Sequence, residues 1–210
     1  MEKKRNDSGM RQVDAVIFDF GGVLAEEGFF DGFRVLAEAQ GIDYTLLSET
    51  AVDLARAGGY AEGRISEQEF WTRLKAQTEL TGSDAELRQE LLSRFILRPW
   101  MFECVDKLKA AGYKVAILSD QTNWLEELDA EHGIFRRFDL VWNSHRTGRT
   151  KKEPALFDDF AAALGVSPER VLFVDDHGGH VRRAEAQGMK AIHYIDREDF
   201  TRRINDICPL

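Results

Sequence analysis

The stretch AVIFDFGGVLAEEG, residues 15–28, decides how the rest of the chain is interpreted. Residues 15–18 are apolar, as in a buried strand, but the run ends on a carboxylate, Asp19, with Gly21 and Gly22 close behind it. A buried acid is tolerated at the end of a strand when a charged partner binds beside it. The glycines allow a sharp turn that presents backbone N–H groups to an anion. The pattern predicts a strand whose C-terminal end opens onto a binding site.

Further short apolar runs follow, and none has the strict polar–apolar alternation of a half-exposed strand. They cover residues 114–119, 139–144, 171–176 and 190–195. Strands that are apolar on both sides are typical of a parallel sheet covered by helices. Helical patterns lie between these runs, for example from Pro99 to Gly112 and from Pro154 to Gly165. This order predicts right-handed βαβ units and an α/β fold with a doubly wound parallel sheet.

The section from residue 25 to residue 98 interrupts this order, because it contains no convincing strand. Its amphipathic patterns predict helices over residues 29–40, 43–57, 66–77 and 84–95. The sequence SEQE at 66–69 predicts a capping box. An insert directly after the first strand lies over the carboxyl edge of the sheet, where open α/β sheets bind ligands. The predicted division is a flexible extension (1–12), an α/β core (13–24 and 99–210) and a small all-helical cap (25–98).

Composition and charge exclude several classes of protein. The 210 residues carry a formal net charge of −9, which is opposite to the positive surface that binds nucleic acids or anionic membranes. Cys104 and Cys208 are far apart, so neither a disulfide framework nor a zinc knuckle is expected. No apolar stretch is long enough for a signal peptide or a membrane span. We expect a cytoplasmic monomer or homodimer with no nucleic-acid or membrane partner.

Polar residues follow the ends of the predicted strands. They are Asp19 after the first, Ser119 after the second, Lys151 and Lys152 in the loop after the third, and Asp175 with Asp176 after the fourth. If these strands are neighbours, the groups converge on one crevice. Crowded carboxylates resist ionisation unless a cation joins them, and such oxygen ligands suit Mg²⁺. A lysine opposite them would bind a phosphate. The pattern therefore predicts a site for Mg²⁺ and a phosphate.

Four motifs, in order, resemble those of the haloacid dehalogenase-like (HAD) hydrolase superfamily. They are FDFGGVL, VAILSD, GRTKKEPALF and VLFVDDHGGHVRRAEAQGMKAIHY. Their order and spacing match over nearly the whole chain from Val13 onward, and GRISEQEFW in the insert is typical of the family's helical cap. The resemblance implies a Rossmann-like, HAD-like core with a helical cap. It also implies a Mg²⁺-dependent phosphatase that acts on a small phosphorylated metabolite, either a sugar phosphate or a nucleotide.

The same resemblance implies roles for individual residues. Asp19 is expected to attack phosphorus and form an aspartyl-phosphate, with Ser119 bonded to a phosphoryl oxygen and Lys151 neutralising charge. The residues expected to bind the phosphate are Gly21, Gly22, Ser119, Asp120 and Lys151. The residues expected to hold Mg²⁺ are Asp19, Asp175, Asp176 and, through its backbone carbonyl, Gly21.

The chain departs from the family's pattern at three positions. Family phosphatases commonly have a second aspartate where this chain has Gly21, and that acid protonates the leaving group. Its loss is worth roughly 10²–10⁴ in rate if nothing replaces it. The open replacements are Glu26, Glu27, His177, a cap residue, or a leaving group that needs little protonation. The usual Lys-Pro is Lys151-Lys152 here, so either lysine is a candidate, and His180 stands where an asparagine is frequent.

Two other functions remain open at this point. A haloacid dehalogenase uses the same aspartate to displace halide from carbon without a metal, which leaves Asp175 and Asp176 without a purpose. A binding or sensor protein that has lost catalysis is the third hypothesis, because Gly21 replaces the general acid. The presence of Asp19, the lysine and the acidic pair together favours the phosphatase. The sequence leaves the substrate open, as well as which of Asp175 and Asp176 contacts the metal.

Overall fold

A parallel five-stranded sheet forms the centre of the fold in the computed structural model, which describes residues 11–209. The strands are β1 (Ala15–Phe18), β2 (Lys114–Ser119), β3 (Leu140–Asn143), β4 (Val171–Asp175) and β5 (Lys190–His193). Their order across the sheet is β3-β2-β1-β4-β5, so the chain begins in the central strand and adds strands on both sides. The predicted α/β class and the doubly wound parallel sheet are confirmed.

Ten α-helices lie within the described residues. They are α1 (Gly28–Gln40), α2 (Tyr44–Arg56), α3 (Glu67–Gln77), α4 (Asp84–Leu92), α5 (Pro99–Ala110), α6 (Trp124–His132), α7 (Ser144–Thr147), α8 (Ala155–Leu164), α9 (Gly178–Ala186) and α10 (Arg197–Ile207). None of those helices has the length and apolarity that a bilayer crossing needs. The helices predicted between residues 25 and 98 are confirmed as α1–α4. The boundaries of cap and core stay predictions, and residues 1–10 of the predicted extension lie outside the described residues.

Side-chain caps explain where two helices of the inserted segment begin. Ser83 and Glu86 form a complete capping box, in which each side chain accepts a hydrogen bond from the other residue's backbone N–H. The box predicted at 66–69 is only half formed. Ser66 Oγ accepts from the Glu69 N–H at 3.2 Å, but the Glu69 carboxylate binds Arg73 one turn further on and does not reach back. The ion pair with Arg73 thus replaces the second bond of the box.

The central strand contributes side chains to two separate apolar layers. Val16 and Phe18 belong to a cluster that also contains side chains of α1–α6 and α10. Ala15 and Ile17 belong to a second cluster, with side chains of α8 and α9. All four are fully buried, and burial of a large apolar side chain stabilises a fold by about 1.5–3 kcal/mol. A strand covered on both faces is therefore held rigidly, and so is the carboxylate that follows it.

Aromatic side chains join the inserted helical segment to the sheet. Tyr60, Phe70 and Trp71 of the segment lie around Trp124 at the start of α6, with ring centroids 5.8, 6.2 and 5.9 Å from its own. The Tyr60 hydroxyl also donates a hydrogen bond to Asn123 Oδ1 at 2.5 Å. Aromatic pairs at such distances contribute about 0.5–1.5 kcal/mol beyond area burial. This aromatic junction fixes the helical segment beside the carboxyl ends of the strands.

Candidate active site

The carboxyl ends of three neighbouring strands bring the first predicted site residues together. Asp19 follows β1, Ser119 ends β2 and Asp175 ends β4. Because β1 pairs in parallel with both β2 and β4, these ends lie side by side. Ser119 Oγ donates a hydrogen bond to Asp19 Oδ1 at 2.8 Å, and both residues are buried. The crevice predicted from the strand ends is present.

Lys151 lies between two of these carboxylates. Its Nζ is 2.7 Å from Asp19 Oδ2 and 2.6 Å from Asp175 Oδ2, and the residue is 0% exposed. Burial disfavours the charged ammonium, but Asp175 and Asp19 outweigh burial and raise the pKa of Lys151 above its usual value. Lys152 is exposed and makes no ion pair with any residue in 11–209. Of the two lysines that the sequence left open, Lys151 is the one placed against Asp19.

The two acids after β4 have different surroundings. Asp175 is fully buried, and it accepts hydrogen bonds from Lys151 Nζ and from the His177 backbone N–H, at 2.6 and 2.7 Å. His180 Nδ1 lies 3.1 Å from Asp175 Oδ2. Burial raises the pKa of Asp175, but Lys151 and His180 outweigh it and hold that pKa below its usual value. For Asp176, burial and the neighbouring Asp175 raise the pKa instead. Asp175 is thus saturated with donors, whereas Asp176 is not.

The glycines after Asp19 leave room for two acidic side chains. Gly22 has a φ of +74°, and a Cβ there would lie 2.0 Å from Asp176 Oδ2. Any side chain at Gly22 would therefore collide with that carboxylate. A Cβ at Gly21 would lie 3.1 Å from Glu27 Oε2. The Glu27 carboxyl group thus occupies the space beside Gly21, where a side chain of residue 21 would stand.

Glu27 and its neighbour Glu26 lie in opposite electrostatic environments. Burial is the main reason that the pKa of Glu27 is raised to about 7, and the charge of Asp176 adds to the effect. Glu26 instead pairs with Arg98 at 2.7 Å, and the hydrogen bond from Arg98 lowers the pKa of Glu26. Only Glu27 of the two lines the cavity beside Asp19. Glu26 and Glu27 were equal candidates from the sequence, but the structure gives them different environments and places only Glu27 at the cavity.

A cavity of about 580 Å³ opens beside Asp19, a size typical of small-molecule sites. Apolar side chains of the inserted segment form part of its lining, namely Phe29, Phe30, Val52 and Ala55. The predicted site residues in the lining are Asp19, Gly21, Ser119, Asp120, Lys151 and Asp176. Gly22 and Asp175 lie behind this surface and support it through Asp176 and Lys151.

The side chain of Asp120 is engaged with the loop that carries the lysine. Its carboxylate oxygens accept from the Lys151 backbone N–H at 2.9 and 3.1 Å. An ionised carboxylate is acceptor-only, so it offers no hydrogen bond to a phosphate oxygen. Asp120 therefore positions Lys151, and its own backbone N–H is the group left for the phosphate contact that the sequence predicted.

Acidic groups outnumber cations at this edge of the sheet. Burial raises the pKa of Asp19 well above its ordinary value, Lys151 opposes the rise, and Asp175 and Asp176 add to it. The excess negative charge is what a divalent cation would offset. Asp19, Asp175 and His180 each place a ligand atom within 4.8 Å of the others, but Lys151 Nζ already lies between Asp19 and Asp175. The side of the cluster towards Asp176 is the one whose oxygen donors fit a hard cation.

Sequence reasoning did not identify two basic residues in the cavity lining. Arg56 is the last residue of α2, and Arg183 lies on α9. A basic residue in the last turn of a helix is common for reasons of helix stability alone, so its type carried no signal. Their place in the cavity depends on how α2 and α9 pack around the carboxyl edge.

The parallel sheet and the acidic cluster at its carboxyl edge define a class of α/β hydrolases. The chain belongs to the haloacid dehalogenase-like hydrolase family, whose model matches residues 13–187. A relative named phosphatase MT3486, from Mycobacterium tuberculosis, is 29% identical over 90% of each chain. A GMP/IMP nucleotidase, YrfG of Escherichia coli, is 26% identical over 79% of this chain and 75% of its own.

Solved structures share the fold of this chain. A HAD family enzyme of Bacteroides thetaiotaomicron, in complex with magnesium and inorganic phosphate, superposes with a TM-score of 0.73 at 18% identity, over 91% of this chain and 98% of that one. An L-2-haloacid dehalogenase of Xanthobacter autotrophicus superposes with a TM-score of 0.63 at 20% identity, over 94% of this chain and 84% of that one. At such identities the likeness concerns the fold alone.

Proposed function

We propose that this protein is a Mg²⁺-dependent phosphatase that hydrolyses a small phosphorylated metabolite through an aspartyl-phosphate. The observation that carries the proposal is the contact of Asp19 with both Ser119 and Lys151 at the edge of the cavity. A carboxylate held by a hydroxyl and an ammonium is positioned for nucleophilic attack, and the same two donors suit phosphoryl oxygens. The relatives named phosphatase and nucleotidase support this chemistry.

Two displacements at phosphorus make up the proposed reaction. An Asp19 oxygen forms a bond to phosphorus while the bond from phosphorus to the ester oxygen breaks. Water then attacks the aspartyl-phosphate, which releases inorganic phosphate and restores the carboxylate. Ser119, Lys151 and the backbone N–H of Asp120 hold the phosphoryl oxygens, so that positioning and charge neutralisation supply most of the catalysis.

Mg²⁺, when bound, would neutralise charge on the nucleophile and the phosphate. The groups that we propose to hold it are the side chains of Asp19 and Asp176 and the backbone carbonyl of Gly21. Asp175 is the predicted ligand that we reassign, because its oxygens already accept hydrogen bonds from Lys151 and the His177 backbone. Its proposed task is to keep Lys151 charged and in place.

Glu27 is the proposed proton donor to the leaving oxygen and acceptor from the attacking water. Its carboxyl group stands beside Gly21, in the space of the family's missing aspartate, and lines the cavity. With a pKa of about 7, both of its protonation states are populated near neutral pH, which suits a group that first gives and then takes a proton. His177 also lines the cavity, but burial, His180 and other charges lower its pKa. His177 therefore holds a proton less readily than a free histidine does, which makes it the weaker candidate for the proton donor.

The other functions find less support. A metal-free dehalogenase has no use for Asp176, whose carboxylate is packed against Gly22 at the site. The sensor hypothesis rested on the missing acid at residue 21, and Glu27 supplies an acid there. We keep cytoplasmic location and a monomeric or homodimeric state as part of the proposal.

The test is hydrolysis of 4-nitrophenyl phosphate by wild type, Asp19→Asn and Glu103→Gln, each with Mg²⁺ and with a chelator. Glu103 is an exposed acid of α5 away from the cavity, so its amide variant is a matched control. We expect Mg²⁺-dependent release of phosphate by wild type and the control, and a loss of at least about 10³-fold in Asp19→Asn. Turnover that persists in Asp19→Asn, or that is unaffected by the chelator, would refute the mechanism.

A further inference from the structure

We propose that the substrate carries, besides the phosphoryl group, a second anionic group that binds Arg56, Lys152 and Arg183 in the same cavity. This inference rests on the proposed function and names its substrate class: a phosphate ester with a carboxylate or a second phosphate. All three residues line the 580 Å³ cavity. They come from three separate parts of the chain, namely the end of α2, the loop after Lys151, and α9.

None of these three cations forms an ion pair with a residue of the described chain, 11–209. Two of the acids in the cavity lining are engaged elsewhere. Glu62, which also lines the cavity, pairs with Arg64, and Asp120 accepts from the Lys151 backbone. In a chain with 37 acidic residues and a net charge of −9, carboxylate partners are abundant. Three cations around this cavity nevertheless lack a carboxylate partner in the described part of the chain, so they are available to a ligand.

Arg183 gives the most specific evidence. Its Nη1 atom is buried and has no hydrogen-bond partner among the described residues. An unsatisfied buried donor is unfavourable, and a charged one more so. The planar guanidinium matches a carboxylate or phosphate with two parallel hydrogen bonds. Since Arg183 lines the cavity and forms no ion pair within residues 11–209, an anion in the cavity would supply its missing charged partner.

The rest of the cavity lining limits what joins the two anionic groups. Phe29, Phe30 and Val52 present apolar surface, so they offer few hydrogen bonds to a hydroxyl-rich sugar ring. Lys152 directly follows Lys151 in the chain, and both residues line the cavity. A linker with few hydroxyl groups therefore fits this lining better than a neutral polyol does.

The experiment compares kcat/KM for phosphoglycolate, propane-1,3-diol bisphosphate, glycerol phosphate and 4-nitrophenyl phosphate. The first two carry a carboxylate and a second phosphate, and they distinguish these two sources of the anion. Variants Arg56→Gln and Arg183→Gln are measured beside Arg182→Gln, an exposed neighbour on α9 that does not line the cavity. We expect wild type to prefer one of the dianionic substrates, and each cavity variant to lower kcat/KM for it about 10-fold or more.

The same variants should change kcat/KM for glycerol phosphate and 4-nitrophenyl phosphate less than about 3-fold. Equal losses on all four substrates, or a wild-type preference for glycerol phosphate, would overturn the second anion site. If wild type hydrolyses none of them, the proposed function fails, and calorimetric binding still decides this inference. Asp19→Asn protein should then bind phosphoglycolate or propane-1,3-diol bisphosphate more tightly than glycerol phosphate, and the added Arg183→Gln change should abolish that preference; no preference would refute it.

Discussion

Replacing Glu27 by glutamine should stabilise the protein at alkaline pH and leave its stability nearly unchanged in mild acid. Glutamine has the size of glutamate but cannot ionise. Burial and the charge of Asp176 raise the pKa of Glu27 from 4.5 to about 7 in the folded state. Because the folded pKa lies above the unfolded one, wild-type stability is complete below about pH 4.5 and falls as the pH rises through 7. The glutamine variant does not ionise at this position, so it does not lose this stability as the pH rises.

The magnitude follows from the two pKa values. A rise from 4.5 to about 7 corresponds to about 3 kcal/mol at 1.36 kcal/mol per pH unit. We therefore expect the free energy of unfolding of Glu27→Gln to exceed that of wild type by up to about 3 kcal/mol above pH 8, and by much less than 1 kcal/mol at pH 4.5. Saturating Mg²⁺ should reduce the difference, since a cation offsets the charge of Asp176.

Urea unfolding at a series of pH values, in the presence of a chelator, measures this difference. Glu26→Gln is the matched control, because Arg98 lowers the pKa of Glu26. A lowered pKa stabilises the fold above the unfolded value, and that stabilisation is lost as the pH falls through the folded pKa. Glu26→Gln should thus destabilise by less than about 1 kcal/mol at pH 8, as for an exposed ion pair. A Glu27→Gln difference that is constant from pH 5 to pH 9 would refute the reasoning.

Three further predictions concern the residues around Asp19. Gly22→Ala should lower the melting temperature more than Gly41→Ala, since both have positive φ but only a Cβ at Gly22 meets another atom, Asp176 Oδ2; equal shifts by calorimetry would contradict this. Lys151→Met should cost about 3–5 kcal/mol of unfolding free energy in urea titrations, because it removes the ammonium that lies between two buried carboxylates; a loss below 1 kcal/mol would contradict it. Mg²⁺ should raise the melting temperature of wild type but not of Asp176→Asn, and equal rises would show that Asp176 is not a ligand.

The sequence alone predicted the sheet and its cluster of polar residues, because both depend on local patterns. Apolar runs that end on Asp19, Ser119 and Asp175 show where strands stop, and parallel pairing then brings their ends together. The unequal surroundings of Asp175 and Asp176 could not be predicted, since adjacent side chains of an extended chain point in opposite directions and only the packed loops decide which meets Lys151.

The position of the Glu27 side chain also could not be predicted from the sequence. That a carboxyl group from residue 27 fills the space beside Gly21 depends on the turn between β1 and α1, whose path is set by packing against the rest of the fold. The capping box at 66–69 is only half formed for a different reason, because Arg73, four residues further along the same helix, competes for the Glu69 carboxylate.

The aromatic junction makes the helical segment a poor candidate for transplantation. The ring centroids of Trp71, in the segment, and Trp124, in α6, lie 5.9 Å apart. Grafted onto a related sheet with a smaller residue in place of Trp124, the segment would expose Tyr60, Phe70 and Trp71 to water. A graft that keeps these aromatic contacts must therefore include α6 together with the helical segment, so the transferred piece would be discontinuous along the chain.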